Sequence, residues 1–174
     1  MERKKIYGYH GTTQENANRI VSEQAFQDSV KDNEWLGHGV YFFAYLGHAK
    51  WWVGAWRYRG METSILKAAL EFTDEQLLDL DDPEQFMLAE DVVKEAIRVA
   101  SDSGDLQYGA NLEKMEESKK WNFVCNTIRS ICPEIGIIIY TFPTKPRFYV
   151  IGYQQTQRQI CVSDHSIIKE VEIV

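Results

Sequence analysis

Cysteine is scarce in this chain, three among 174 residues. Cys125, Cys132 and Cys161 form no CxxC pair, which argues against a disulfide framework and against a thiolate zinc site. The simplest home for such a chain is a reducing cytoplasm. No apolar run approaches the ~20 residues of a membrane-spanning helix. The stretch MERKKIYGYHG also lacks the apolar core and small-residue cleavage site of a secretory signal. Positive charge is in short supply, with 19 Lys+Arg against 26 Asp+Glu and a net charge of −7. That is the reverse of a protein that grips nucleic acid by neutralising many phosphates. The two basic clusters, MERKK and ESKKW, read as solvated faces. Neither GxxxxGK nor GxGxxG occurs, so no phosphate loop is encoded. HxxxH, HxH and Cys/His clusters are missing as well, and the expectation is that no metal is bound. No GxSxG elbow marks a serine nucleophile.

What is present fits one globular domain over residues 1–174, since 44% hydrophobic and 13% aromatic residues are enough for a real core. KIYGYHG (5–11) reads as a short strand running into a helix, with Thr12 and Glu15 at capping-box spacing and Ala17, Ile20 and Val21 as its apolar stripe. HAKWWVGAW (48–56) predicts a helix with Trp52 and Trp56 on one face, and TSILKAALEF (63–72) a strand. Residues 82–101 give the strongest helix signal: Asp82 as N-cap, Pro83 at the first helical position, then Phe86, Ala89, Val93, Ile97 and Ala100 at helical spacing. The acidic stretch before it, 72–91, reads as capping and surface. A second helix is expected near 112–131, stopped by Pro133, and a buried strand at 135–143. TKPRFYVIGY (144–153) and the last eighteen residues supply two or three further strands. The fold class is α+β.

The residues that carry chemistry gather in two glycine-punctuated stretches, YHGTT at 9–13 and WLGHGVYFF at 35–43. Glycine beside a strand marks a turn, a bulge or a close approach to the backbone. Taken together and in this order, with a helix in the gap, the two motifs resemble the ADP-ribosyltransferase superfamily, in its diphtheria-toxin-like and poly(ADP-ribose) polymerase-like branch. There a first strand ends in His-Gly-Thr/Ser, a second motif reads Gly-x-Gly-x-Tyr-Phe, and a late strand starts with the catalytic glutamate. The resemblance implies a split core of two facing, mostly antiparallel sheets with helices around it. It also implies cleavage of NAD, the co-substrate, at the nicotinamide–ribose bond.

Under that resemblance His10 hydrogen-bonds a ribose hydroxyl, Thr12 adds a hydroxyl contact, and Gly11 offers backbone N–H and C=O to the carboxamide. Tyr41, after Gly39, stacks on the nicotinamide. Trp51 or Trp52, just after Ala49, covers the other face. His38 is read as a loop or capping side chain, not a catalyst.

One position departs from the pattern. QICV (159–162) is the best match to the late Glu-x-x-Val strand, which puts Gln159 where the carboxylate belongs. An amide orients a ribose hydroxyl but carries no negative charge. This implies transfer of a single ADP-ribose unit to a macromolecular acceptor (protein, RNA or DNA), with Gln157 and Gln159 meeting that acceptor. Asp164 and Glu170 are two other carboxylates in reach of the same stretch, and strand spacing favours neither. A compact transferase of this kind is similar to bacterial toxins of toxin–antitoxin or phage-defence systems, with an antitoxin protein as a possible partner and no membrane involved. The alternatives are an inactive NAD or ADP-ribose binder and an NAD glycohydrolase.

Overall fold

A computed structural model describes residues 2–55, 58–102, 115–143 and 156–174. Among them seven strands form one sheet: β1 (Lys4–Thr13), β2 (Val40–Phe43), β3 (Thr63–Phe72), β4 (Leu77–Asp79), β5 (Ile137–Pro143), β6 (Thr156–Val162) and β7 (Ile168–Ile173). The four α-helices are α1 (Gln14–Glu23), α2 (Leu46–Val53), α3 (Pro83–Asp102) and α4 (Glu117–Ile131). The strand order is β4-β5-β6-β2-β1-β3-β7, and every pairing but β4–β5 is antiparallel. The α+β class is therefore observed.

Two separate facing sheets are not what the hydrogen bonds give. The strands form a single ladder, but its two halves meet at one residue pair, Tyr9↔Phe43 between β1 and β2. By contrast β1 pairs with β3 over ten residues. The weak seam has a local cause. Continued back from Phe43 towards the start of β2, the ladder would set Tyr41 and Val40 against Gly11 and Thr12, but Gly39 pairs instead with Ser29, in both directions, at 2.9 and 3.1 Å. The segment between α1 and β2 thus takes the place β1 would have held, and β1 diverges.

Strand alternation puts Val40, Phe42, Leu66, Leu70, Ile137, Ile139, Ile160 and Val162 on one face, where Ala17 and Ile20 of α1 complete the largest core cluster. The other face carries two smaller clusters. One lies under α3 and α4 (Cys125, Ile128, Ile138 and Cys161 among its members), and the other lies under α2 (Phe43, Ala49 and Ile65). Between these two clusters the sheet is left open.

Several element boundaries differ from the sequence reading for identifiable reasons. The N-cap of α1 is Thr13, whose hydroxyl accepts from Asn16 N–H, because the β1–β3 ladder runs on through Thr13↔Thr63 and keeps Thr12 in the strand. Within the acidic stretch, Leu77–Asp79 adds a short strand parallel to β5, which alternation over three residues could not reveal. Asp82 caps α3 as expected, accepting from Glu84 N–H at 2.9 Å. The strand expected at 144–153, Trp56, and the start of the helix expected from 112 lie outside the described residues.

Candidate active site

The seam between β1 and β2 opens into a cleft of about 590 Å³. His10, Gly11, Thr12, Gly39, Tyr41, Trp51, Trp52, Gln157 and Gln159 all line it. These residues come from β1, the turn into β2, β2 itself, α2 and β6, so the fold brings together nearly the whole set named from sequence.

Gly11 occupies the position that matters most. Gln14 N–H bonds Glu62 C=O on the β3 side, and Val174 N–H bonds Ile65 C=O away from β1. Backbone groups alternate sides along a strand, and Gly11 opposes Ile65. The N–H and C=O of Gly11 therefore point away from β3, into the seam, where the β1–β2 ladder has already stopped. The missing side chain serves a second purpose. A Cβ on Gly11 would sit 2.6 Å from Val53 Cγ1 and 3.1 Å from the Ala49 carbonyl oxygen, so glycine lets α2 lie flat on β1. Ala49 itself is fully buried at that contact and does not line the cleft; this corrects its place among the ligand-facing residues.

His10 lies on the opposite face of the sheet from Tyr41, edge-on to Phe26 and Phe42. The seam lets both border one cleft. Its Nδ1 is 2.8 Å from the Tyr41 carbonyl oxygen. A carbonyl only accepts, so Nδ1 carries the proton and Nε2 is left as an acceptor. The imidazole thus closes the seam where the ladder fails and still offers a lone pair to a ligand hydroxyl. Burial holds the pKa of His10 below its ordinary 6.5, partly offset by that carbonyl. The sign follows by linkage. The unfolded chain binds the proton more readily, so the stability His10 contributes is complete above pH 6.5 and is lost as pH falls from there towards the folded value. A His10→Gln variant is expected to flatten that part of the stability–pH curve, measured by urea unfolding between pH 5 and 8 (about the range in which histidine titrates).

Tyr41 forms the adjoining wall. Its hydroxyl accepts from Leu36 N–H at 2.8 Å and donates to Gly37 C=O at 2.7 Å, which clasps the Gly-His-Gly loop to the strand. Burial is the main cause pushing its pKa upward, and the neighbouring Cys161 adds to it. The phenol stays neutral. Gly37 has φ +80°, and a Cβ there would meet Asn126 Oδ1 at 2.6 Å. The loop thus lies against α4. Arg129 of α4 donates to the carbonyls of Leu36 (3.0 Å), His38 (2.8 Å) and Cys161 (3.3 Å), while Asn126 Oδ1 accepts from His38 N–H. The His38 side chain is exposed, in keeping with a loop role.

Gln159 and Gln157 project from β6 onto the face that carries Tyr41, and Gln159 Nε2 donates to Gln157 Oε1 at 3.0 Å. Gln157 is only 6% exposed, so it is not the solvent-facing glutamine its polarity suggests. Trp52 packs on Phe43 with ring centroids 5.9 Å apart, and Trp51 is half exposed. Of the two other carboxylates considered, Asp164 caps a 3₁₀ turn through Ser166 N–H, and Glu170 pairs with Lys5. Neither lines the cleft. Burial raises the thiol pKa of Cys125 to about 12 and also that of Cys161, so neither serves as a nucleophile.

Sequence reading missed the residues between α1 and β2 that close the cleft, among them Ser29, Lys31, Glu34 and Trp35, and also Tyr58. Ser29, Lys31 and Glu34 signal only polarity, which they share with any loop, and Trp35 and Tyr58 are single aromatics with no periodic neighbours to place them. A larger groove of about 1020 Å³ runs between α3 and α4, but apolar side chains such as Met115, Phe123 and Ile131 dominate it. It contains none of His10, Gly11, Gly39 and Tyr41. No helix among the described residues is long and apolar enough to cross a membrane.

The chain is similar to the uncharacterized protein MJ0359 of Methanocaldococcus jannaschii, 27% identical over 184 residues, an alignment covering 94% of this chain and 85% of that protein. No protein-family model matches the chain, and no solved structure matches it.

Proposed function

We propose that the protein is an NAD-dependent mono-ADP-ribosyltransferase, and that the seam between β1 and β2 is the split of an ADP-ribosyltransferase-like core. One observation carries the reading. A single cleft collects the unpaired backbone of Gly11, the acceptor nitrogen of His10, the ring of Tyr41, the two tryptophans and the paired glutamines.

Breaking the nicotinamide–ribose bond sends the bonding electron pair to the pyridinium ring, which leaves neutral, while positive charge develops on the ribose. A site that favours this must hold the ring and the sugar in the geometry of the transition state. Gly11 pairs its N–H and C=O with the carboxamide. Tyr41 and Trp52, with Trp51 at the rim, flank the ring. His10 Nε2 and the Thr12 hydroxyl take ribose hydroxyls, and Gln159, steadied by Gln157, orients the second ribose and the acceptor. The acceptor is a macromolecule (protein, RNA or DNA), and the setting is a cytoplasmic toxin with a cognate antitoxin or a phage-defence effector.

The test is adenine-labelled NAD incubated with the protein and a cell extract. Label is expected in macromolecules, and protease and nuclease digestion sort the acceptor class. Tyr41→Ala is expected to lower transfer at least about fivefold, since aromatic stacking contributes about 1 kcal/mol beyond burial. Tyr41→Phe keeps the ring and should stay within about threefold in transfer, but it loses about 1–2 kcal/mol of stability with the loop clasp. Intact NAD and unlabelled macromolecules would count against the proposal. A second reading, an inert NAD or ADP-ribose binder, is favoured by the uncharged Gln159. It differs in raising the melting temperature with NAD while releasing no nicotinamide. A glycohydrolase would release nicotinamide without labelling anything.

A further inference from the structure

The inference here rests on that proposed reaction. Positive charge on the ribose calls for negative charge nearby, and the β6 position that should supply it holds an amide. Among the described residues lining the cleft, Glu34 is the sole carboxylate. It stands on the segment that displaces β1 from β2, and its placement is over-determined. Ser29 Oγ donates to its carboxylate, and Ser29 is pinned by the two backbone bonds to Gly39. The Glu34 carbonyl oxygen accepts from Asn122 Nδ2 at 3.2 Å and from Gly37 N–H at 3.3 Å. Among the described residues no lysine or arginine pairs with its carboxylate. The group is close enough to Tyr41 and to Cys161 to oppose their ionisation, behind burial as the leading cause. A carboxylate held by Ser29 in the cleft that Tyr41 also lines, with no basic partner among the described residues, is more than a loop that only turns requires.

We propose that Glu34 supplies the negative charge that Gln159 lacks, with Ser29 as its positioning residue. As the C1′–nitrogen bond breaks and its electron pair leaves with nicotinamide, the Glu34 carboxylate stabilises the positive ribose. An acceptor lone pair then forms the new bond to C1′, and the acceptor O–H or N–H proton passes to Glu34 and on to solvent.

The experiment compares wild type, Glu34→Gln, Glu34→Asp and Gln159→Ala for nicotinamide release from NAD with cell extract, and for the NAD-induced rise in melting temperature. Glutamine keeps the bond from Ser29 and the shape of the side chain, so folding and the NAD-induced rise are expected to persist. Release should fall roughly a hundredfold, as when one preorganised electrostatic group is removed. Glu34→Asp should retain more activity than Glu34→Gln, because the charge remains. Release by Glu34→Gln within about threefold of wild type, against the roughly hundredfold loss expected, overturns the role of Glu34 and leaves the transferase reading standing. So does a Glu34→Gln loss matched by equal loss of the NAD-induced rise. A wild-type protein that releases no nicotinamide overturns both.

Discussion

A Gly11→Ala variant is expected to lose both stability and NAD cleavage, and a second substitution is expected to restore part of each. The added Cβ falls 2.6 Å from Val53 Cγ1 and 3.1 Å from the Ala49 carbonyl oxygen, so α2 must move off β1. Overpacking of this kind costs about 1–3 kcal/mol. The displaced helix carries Trp51 and Trp52 out of line with the seam, and misplacement by about 1 Å is enough for a roughly hundredfold loss of rate. Removing the offending methyls with Val53→Ala relieves the shorter contact and leaves the longer one. The double variant should therefore recover more than the sum of the single effects allows, a coupling that a double-mutant cycle reads directly. Additive losses would mean that Gly11 and α2 do not meet as described.

Arg129→Met should be the most destabilising change on α4. The guanidinium serves three backbone carbonyls, those of Leu36, His38 and Cys161, and so ties the Gly-His-Gly loop and β6 to one helix face. Methionine fills the space but donates nothing, and a carbonyl left unpaired away from water costs about 1–3 kcal/mol, which applies to the part-buried Leu36 and Cys161 contacts more than to the exposed one at His38. Part of that is recovered as the loop opens to water, so a net loss of about 3 kcal/mol is expected, a fall in melting temperature of roughly 10 °C for a chain of this size. Arg129→Lys should recover less than half, because an ammonium on a flexible stem does not span three acceptors. The loop also carries the Leu36 N–H and Gly37 C=O that hold the Tyr41 hydroxyl. Transfer activity should fall with stability, and a fully stable Arg129→Met would refute the stapling.

The parts of this fold legible in the sequence were those set by local periodicity. TSILKAALEF reads as a strand over the ten residues that β3 occupies, and the Asp82–Pro83 start of α3 is plain from its capping chemistry. The cleft was legible in outline, because glycine leaves a mark wherever backbone must approach closely. The sequence marks Gly11 as a place of close approach for that reason, whereas in the structure its bare Cα also seats α2, a long-range contact no local pattern encodes. The strand β4 was hidden because three residues cannot show alternation. Glu34 was hidden for a different reason. A carboxylate in a polar loop has no periodic or motif signature, and long-range contacts (the Ser29–Gly39 pairing and the Asn122 bond to its carbonyl) bring it to the cleft. The replacement of two sheets by one sheet with a single-pair seam was likewise decided by register, which the sequence specifies only through the hydrophobic faces.

A crystal structure with a non-cleavable NAD analogue tests the central claim most directly, since that claim concerns where the dinucleotide lies. The carboxamide is expected on the N–H and C=O of Gly11, with the nicotinamide ring against Tyr41 and a ribose hydroxyl donating to His10 Nε2. Analogue bound instead in the groove between α3 and α4, or a seam that stays empty at saturating analogue, would contradict it.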